Sequence, residues 1–288
     1  MPKIPFLATD TTEAAERLAG TTVLVTGASS GIGEALAREA AAVAGTIVLS
    51  ARRRERLEEL AARLLTVTRP GRDPLRVEVL PADLSSPEGV QGLVDDVAAA
   101  GLTVDVLVNN AGFGDYVLFE DEDPDVITRM VAVNVTAPTL LARAFTPAMI
   151  ERGHGAILMV GSGAGRHPSP GAAVYAATKH YVDGLSESLR GELAGTGVTL
   201  TQLQPGPVAT EFDAVSGMGP LTDAIGLARI SAEQCAREAW DGLVTGQATV
   251  YPGAILRTMM MASSFTPRTA MRPALAALGR RLREESRA

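Results

Sequence analysis

Apolar residues fall along this chain in short runs set between longer stretches of helical period. Six runs stand out, at 22–26, 46–50, 76–80, 104–109, 156–161 and 198–204. Each has the length of a strand, and most are separated by helical stretches. After the first run, Ile32, Leu36, Ala40 and Val43 recur at helical spacing and make one apolar stripe. Strands alternating with amphipathic helices predict a single doubly wound α/β domain. Its parallel sheet should hold about seven strands, with helices on both faces and ligands at the carboxyl ends of the strands. That domain should span 20–253, between an N-terminal extension (1–19) and a C-terminal one (254–288).

The first run, Thr22–Thr26, leads straight into Gly27-Ala28-Ser29-Ser30-Gly31-Ile32-Gly33. Strand, glycine turn and helix together place a pyrophosphate on backbone N–H groups at a helix N-terminus, the Rossmann-type arrangement. Gly27 would let the strand turn, Gly31 let the backbone approach the phosphates and Gly33 let the helix pack on the sheet. The G-x-x-x-G-x-G spacing departs from G-x-G-x-x-G, and the bland alternative is an ordinary glycine turn. The second strand ends in Ala51-Arg52-Arg53-Arg54, with Ala51 where an NAD-selective acid would stand. Arg52 could pair with a 2′-phosphate, and Arg53 could add charge or lie over the adenine. The arginines could instead be the solvated start of a helix, although cations are disfavoured there. NADP(H) is therefore expected over NAD(H).

Tyr175 and Lys179 lie four residues apart, on one face of a helix, and Ser162 lies thirteen positions before the tyrosine. A nearby ammonium favours a phenolate, bringing a group of ordinary pKa about 10 towards the range useful for acid–base catalysis. Ser162 could hold a substrate oxygen against Tyr175. The trio is a proton-transfer device for a carbonyl or alcohol.

Taken in order, Thr26-Gly-Ala-Ser-Ser-Gly-Ile-Gly33, Asp83-Leu84, Asn109-Asn-Ala-Gly112, Asn134, Ser162, Tyr175-x-x-x-Lys179 and Pro205-Gly206 carry a resemblance. Over roughly 20–253 the chain resembles the short-chain dehydrogenase/reductase family, in its compact single-domain branch. The resemblance implies Tyr175 as acid/base, with Lys179 as its charged partner on the nicotinamide ribose. It implies Ser162 as the group orienting the carbonyl and Asn134 as the holder of a relay water. It places Asp83 and Leu84 at the adenine, and Asn109, Asn110, Ala111 and Gly112 beside its ribose. Gly27, Ser29, Ser30, Gly31, Ile32 and Gly33 would line the phosphates, and Pro205, Gly206, Val208 and Thr210 the carboxamide. Many NADP-preferring members carry a basic residue where this chain has Ser30. Each residue has a plainer alternative: Asn134 at a helix kink, Asp83 or Thr210 as a helix cap, Asn109 and Asn110 as turn formers.

Composition narrows the class further. The 288 residues are 46% hydrophobic, enough for one sizeable core, and no linker, repeat or low-complexity tract suggests a second domain. A net charge of −7 argues against nucleic acid. The single cysteine, Cys235, excludes an internal disulfide, reads as a small core residue and fits a reducing, cytoplasmic setting. His154, His167 and His180 lack metal-ligand spacing, so no metal is expected and a zinc-dependent alcohol dehydrogenase is disfavoured. The N-terminus has no signal-peptide core, and no run approaches the ~18 apolar residues of a membrane span.

The expected function is NADPH-dependent hydride transfer to a carbonyl, reversible as alcohol oxidation. Phe113–Tyr116, Gly163–Gly171 and Pro207–Ile230 should border the substrate. The last carries Phe212, Val215, Met218, Leu221 and Ile225, either as a lid over an apolar substrate or as a short helix packed on its own domain. The alternatives are an extended-branch nucleotide-sugar epimerase or dehydratase, disfavoured by the glycine spacing and chain length, and a non-catalytic NADP(H)-binding regulatory or redox-sensing protein. From Ala254 onward seven arginines face two glutamates, with Leu275, Leu278 and Leu282 among them. This tail could contact a membrane surface or a neighbouring subunit, or end solvated. The family resemblance implies a homodimer or homotetramer.

Overall fold

A computed structural model describes residues 18–217, 226–263 and 266–285. The strands are β1 (Thr22–Thr26), β2 (Thr46–Ser50), β3 (Arg76–Val79), β4 (Val106–Asn109), β5 (Gly155–Val160), β6 (Val198–Leu203), β7 (Val208–Ala209), β8 (Ile230–Ser231) and β9 (Thr249–Val250). Seven of them form one parallel sheet in the order β3-β2-β1-β4-β5-β6-β9, and β7 pairs with β8 beside it. All six expected runs are strands, with ends that differ by a residue or two in places. β9 has only two residues, too few to show a period.

The helices are α1 (Gly31–Ala41), α2 (Arg54–Leu64), α3 (Pro87–Ala99), α4 (Pro124–Val131), α5 (Ala137–Arg152), α6 (Ala173–Glu192), α7 (Phe212–Ser216), α8 (Ala232–Val244), α9 (Ala254–Ser263) and α10 (Arg268–Glu285). Alternation along each strand divides them between two faces. In β1, Val23 and Val25 join a core with Leu36 of α1, Leu57 and Leu60 of α2, and Cys235 and Trp240 of α8. Leu24 points the other way, to Leu93 of α3, Leu141 of α5 and Val182 of α6. Trp240 Nε1 donates to the Leu36 carbonyl at 3.0 Å and ties α8 to α1.

Chain order reverses between β1 and β4, so the loops after these two strands diverge and open a crevice at the carboxyl edge. Among the described residues, no helix is long and apolar enough to cross a membrane, and no cluster of His, Cys, Asp or Glu could hold a metal.

Candidate active site

The glycine turn after β1 behaves as its residues require. Gly27 and Gly31 take φ of +65° and +58°, the left-handed region that side chains resist. A Cβ on Gly33 would fall 2.3 Å from the Gly27 carbonyl oxygen, so α1 reaches the strand only because position 33 is bare. A Cβ on Gly27 would fall 2.7 Å from Asn110 Nδ2, in the turn after β4. Thr26 sews these two turns together: its Oγ1 accepts from the N–H groups of Asn110 (3.0 Å) and Ala111 (3.1 Å) and donates to the Val108 carbonyl (3.1 Å). Asn110 Nδ2 donates back to the Thr26 carbonyl at 2.8 Å. Thr26 takes this role only on folding, because its partners lie 82 to 85 positions away in the chain. Ser30 opens α1 without a side-chain cap, leaving the first-turn N–H groups to another acceptor.

The two strand-end arginines separate in space. Arg53 reaches back over the glycine turn, donating from Nη2 to Ser29 Oγ and Ser30 Oγ, both at 3.1 Å. Its Nη1 lies 3.6 Å from Glu211, which also pairs with Arg56 at 4.0 Å. Glu211 was not anticipated, since only folding brings it to the turn. Arg52 is exposed at the end of β2, close enough to act on Asp83. Slight burial pushes the Asp83 carboxyl up, but hydrogen bonds from Ser85 and the Arg52 charge outweigh it and hold the group below its ordinary value. Asp83 does not cap α3. It accepts from Ser85 N–H at 3.0 Å, and Ser86 caps the helix through Gly89 N–H at 3.2 Å. Leu84 is buried against α3. Thr210 lies over Gly31, its Cβ 3.2 Å from where a Cβ there would stand, and its Oγ1 accepts from Phe212 N–H at 3.2 Å. Thr210 therefore holds the first N–H of α7 from just outside the helix, whose N-cap is Glu211, and borders the glycine turn.

Ser162, Tyr175 and Lys179 come together where β5 ends against α6. Lys179 is 5% exposed, and its Nζ donates to the Val160 carbonyl at 2.9 Å, two residues before Ser162. Burial pulls its pKa down from 10.5 to about 8. Nζ lies 5.9 Å from the centre of the Tyr175 ring. Tyr175 is 7% exposed, and Phe212 stands 5.8 Å from it, ring centre to ring centre. Ser162 Oγ accepts from Ala164 N–H at 3.1 Å and opens the turn Gly163–Gly165. A Cβ on Gly165 would fall 2.7 Å from the Lys179 carbonyl oxygen, so this turn packs hard on α6.

Asn134 is 1% exposed, inside a π-helical turn (Ala132–Thr136) between α4 and α5. Its Oδ1 accepts from Phe113 N–H at 3.1 Å, and its Nδ2 donates to the Phe113 carbonyl at 2.8 Å and to Thr178 Oγ1 at 3.1 Å. Pro138 has no N–H with which to meet the Asn134 carbonyl four residues back. Asn134 therefore sits at a helix irregularity and also braces the loop leading to Tyr116. A Cβ on Gly112 would lie 3.1 Å from Asn134 Oδ1 and 3.4 Å from Lys179 Nζ. The Pro205 carbonyl accepts from Gly163 N–H at 2.8 Å, which joins the segment after β6 to the Ser162 turn. Val208 is buried in the neighbouring short strand. Asn109, by contrast, turns inward to the Pro138 carbonyl and is no part of the cleft surface.

Of the loop expected as a lid, Met218, Leu221 and Ile225 lie outside the described residues. Phe212 packs in the cluster around Tyr175, while Val215 is exposed.

Bare backbone at Gly27, Gly31, Gly33 and Gly112 runs from the α1 N-terminus to Lys179, a cradle that fits a dinucleotide. A family model for short chain dehydrogenases matches residues 21–218. A short chain dehydrogenase of Pseudocercospora fijiensis is 38% identical over 69% of this chain and 63% of its own length, so under two thirds of that relative is spanned. Sulfoacetaldehyde reductase 2 of Chromohalobacter salexigens is 38% identical over 67% of this chain and 75% of its own. A solved structure of a short-chain dehydrogenase from Sphingobium yanoikuyae in complex with NADPH superposes with a TM-score of 0.74 at 31% identity, covering 85% of this chain and 93% of that one. The chain belongs to the short-chain dehydrogenase family.

Proposed function

We propose that this short-chain dehydrogenase is an NADP(H)-dependent oxidoreductase that interconverts a carbonyl compound with an apolar body and its secondary alcohol. The observation that carries the reading is the buried cluster of Lys179 and Tyr175 beside the Ser162 turn, at the sheet edge where the glycine cradle ends. The nicotinamide, when bound, supplies or takes the hydride. The residues manage the proton and the charge. Ser162 donates its hydroxyl hydrogen to the substrate oxygen and fixes the carbonyl. Tyr175 delivers the proton to that oxygen as negative charge builds there, and the Lys179 ammonium stabilises the phenolate left behind. The Asn134 carbonyl, denied its α-helical donor by Pro138, holds a water through which the proton is replaced from solvent.

Arg53 supports the NADP(H) preference. It stands over Ser29 and Ser30 with no acidic side chain at the β2 end to claim a ribose 2′-hydroxyl, and Arg52 adds a second charge beside Asp83. Phe113, Tyr116 and Phe212 around Tyr175 support the apolar substrate. The relative named for sulfoacetaldehyde sets the contrast to test, a small anionic aldehyde.

Turnover should be followed as loss of reduced-nicotinamide absorbance over a panel of short aldehydes, long-chain and cyclic ketones, sugars and sulfoacetaldehyde, with NADPH and NADH. Bulky apolar ketones with NADPH should be reduced fastest. Tyr175→Phe should lose roughly 10²–10⁴ of kcat while still binding NADPH, the usual worth of a positioned general acid. Preference for sugars or sulfoacetaldehyde would refute the substrate class. A Tyr175→Phe enzyme as active as the wild type would refute the mechanism.

A further inference from the structure

The family match ends at residue 218, yet the chain brings two more helices back across the cleft. α9 sets Leu256 against the segment after β6: a Cβ on Gly206 would lie 2.9 Å from Leu256 Cδ1. One turn on, the Met260 thioether lies 3.9 Å from the Cβ position of Gly163, the residue after Ser162. At the end of α9, Ser263 Oγ is 2.8 Å from His167 Nε2. α10 then reaches the other side of the same loop. Leu282 Cδ1 lies 3.1 Å from the Cβ position of Gly171, and the Tyr116 ring lies 2.7 Å from that position. Arg283 follows, donating from Nε (3.1 Å) and Nη2 (2.6 Å) to Glu120.

The tail is thus fastened to both loops that border Tyr175, 113–121 and 163–171. Its sequence suits an inward role. Met271, Leu275, Leu278 and Leu282 recur every three or four residues and are half-covered, while Arg272, Arg280, Arg281 and Arg283 are exposed. An apolar stripe turned to its own domain, with charge outside, is the pattern of a cleft wall. A helix lying on a membrane would turn that stripe outward.

We propose that α9 and α10 form the outer wall of the substrate cleft, and that Met260 and Leu282 select substrates by the size of their apolar body. This rests on the reading of Ser162 and Tyr175 as the reacting centre. Each substrate methylene buried against such a wall is worth about fourfold in affinity, so the wall should set a steep dependence on chain length. The Arg283–Glu120 pair holds α10 over the cleft; being exposed, it is a weak latch.

The test uses the full chain and a homologous series of methyl ketones, reading the ratio of kcat/KM for the longest to the shortest. Leu282→Ser should lower that ratio about tenfold. Arg283→Glu should lower it about twofold to fivefold, and adding Glu120→Arg should restore it by reversing the pair. NADPH affinity, read by its fluorescence, should stay within about twofold of the wild type in all three. Hydrogen exchange of 268–285 should slow when a long-chain alcohol is added to the protein with NADP+. An unchanged ratio, an equal loss for long and short ketones, or no added protection would overturn the proposal. If the wild type binds NADPH but reduces no ketone, the underlying reading fails instead, and the wall with it.

Discussion

Burial works against the charge of Lys179, while the chemistry proposed at Tyr175 needs that charge. Desolvation brings the lysine down to about 8, so at neutral pH the ammonium still predominates and above pH 8 it does not. An unfolded chain keeps the lysine near 10.5. Between about pH 8 and 10.5 the folded state therefore holds fewer protons, and stability should rise with pH; below 8 the burial cost is present in full. Cofactor affinity should run the other way. NADPH binding should weaken as pH rises through about 8, where the ammonium is lost, and this inflection should vanish in Lys179→Met. A phosphate second pKa near 6 puts the titration of the 2′-phosphate well below that window. A titration of NADPH Kd against pH decides the point, and an inflection that survives in the variant would assign it to another group. Arg53 offers a second residue-scale test. It spends part of its charge on Glu211, an exposed pair of the kind worth about 0.2–1 kcal/mol. Glu211→Gln should tighten NADPH binding by roughly twofold to fivefold and leave NADH binding nearly unaltered. Equal effects on both nucleotides would remove Arg53 from the 2′-phosphate site.

Elements were legible in the sequence to the extent that a local signal made them. β1, the glycine turn and α1 declare themselves through an apolar run, three glycines and a stripe. The structure shows why each glycine is needed, most sharply at Gly33, where the nearest atom to an added Cβ is backbone. Gly33→Ala should cost about 1–3 kcal/mol, because the carbonyl it meets cannot rotate away, and NADPH affinity should fall with it. A Gly33→Ala protein with wild-type melting and affinity would show that the turn relaxes freely. The π-helical turn at Asn134 was half legible: a kink was one expected reading, and Pro138 is its visible cause. The bracing of Phe113 by the Asn134 amide was not, since it joins residues 21 positions apart. The same holds for Glu211 beside Arg53 and for the path of α9 and α10 over the loops. β9 was missed for a different reason, being two residues that only the sheet edge makes a strand.

At the scale of the whole molecule, the crevice exists because strand order reverses between β1 and β4, and the cofactor cradle crosses that reversal. Thr26, Asn110 and Arg53 tie the loops after β1, β2 and β4 to one another, and Lys179 with the Val160 carbonyl carries the connection to β5 and α6. A ligand lying along this edge touches both halves of the sheet, so its binding energy should stabilise the fold as a unit rather than one loop. A ligand at 100 times its Kd adds about 2.7 kcal/mol to the folded state. For a domain of this size each kcal/mol moves Tm by roughly 2–4 °C, so saturating NADPH should raise Tm by about 5–10 °C. If Arg52 and Arg53 hold the 2′-phosphate as proposed, NADH at the same concentration should raise it less. Trp240, the single tryptophan, is buried and bonded to Leu36 behind α1, so its fluorescence follows the core on the far side of the glycine turn. One transition in that signal, shifted upward by NADPH, would mean that the cradle and the core unfold together. A shift seen only by probes near the cleft, with the Trp240 transition unmoved, would mean that the two halves of the sheet are uncoupled and that the cofactor secures only its own loops.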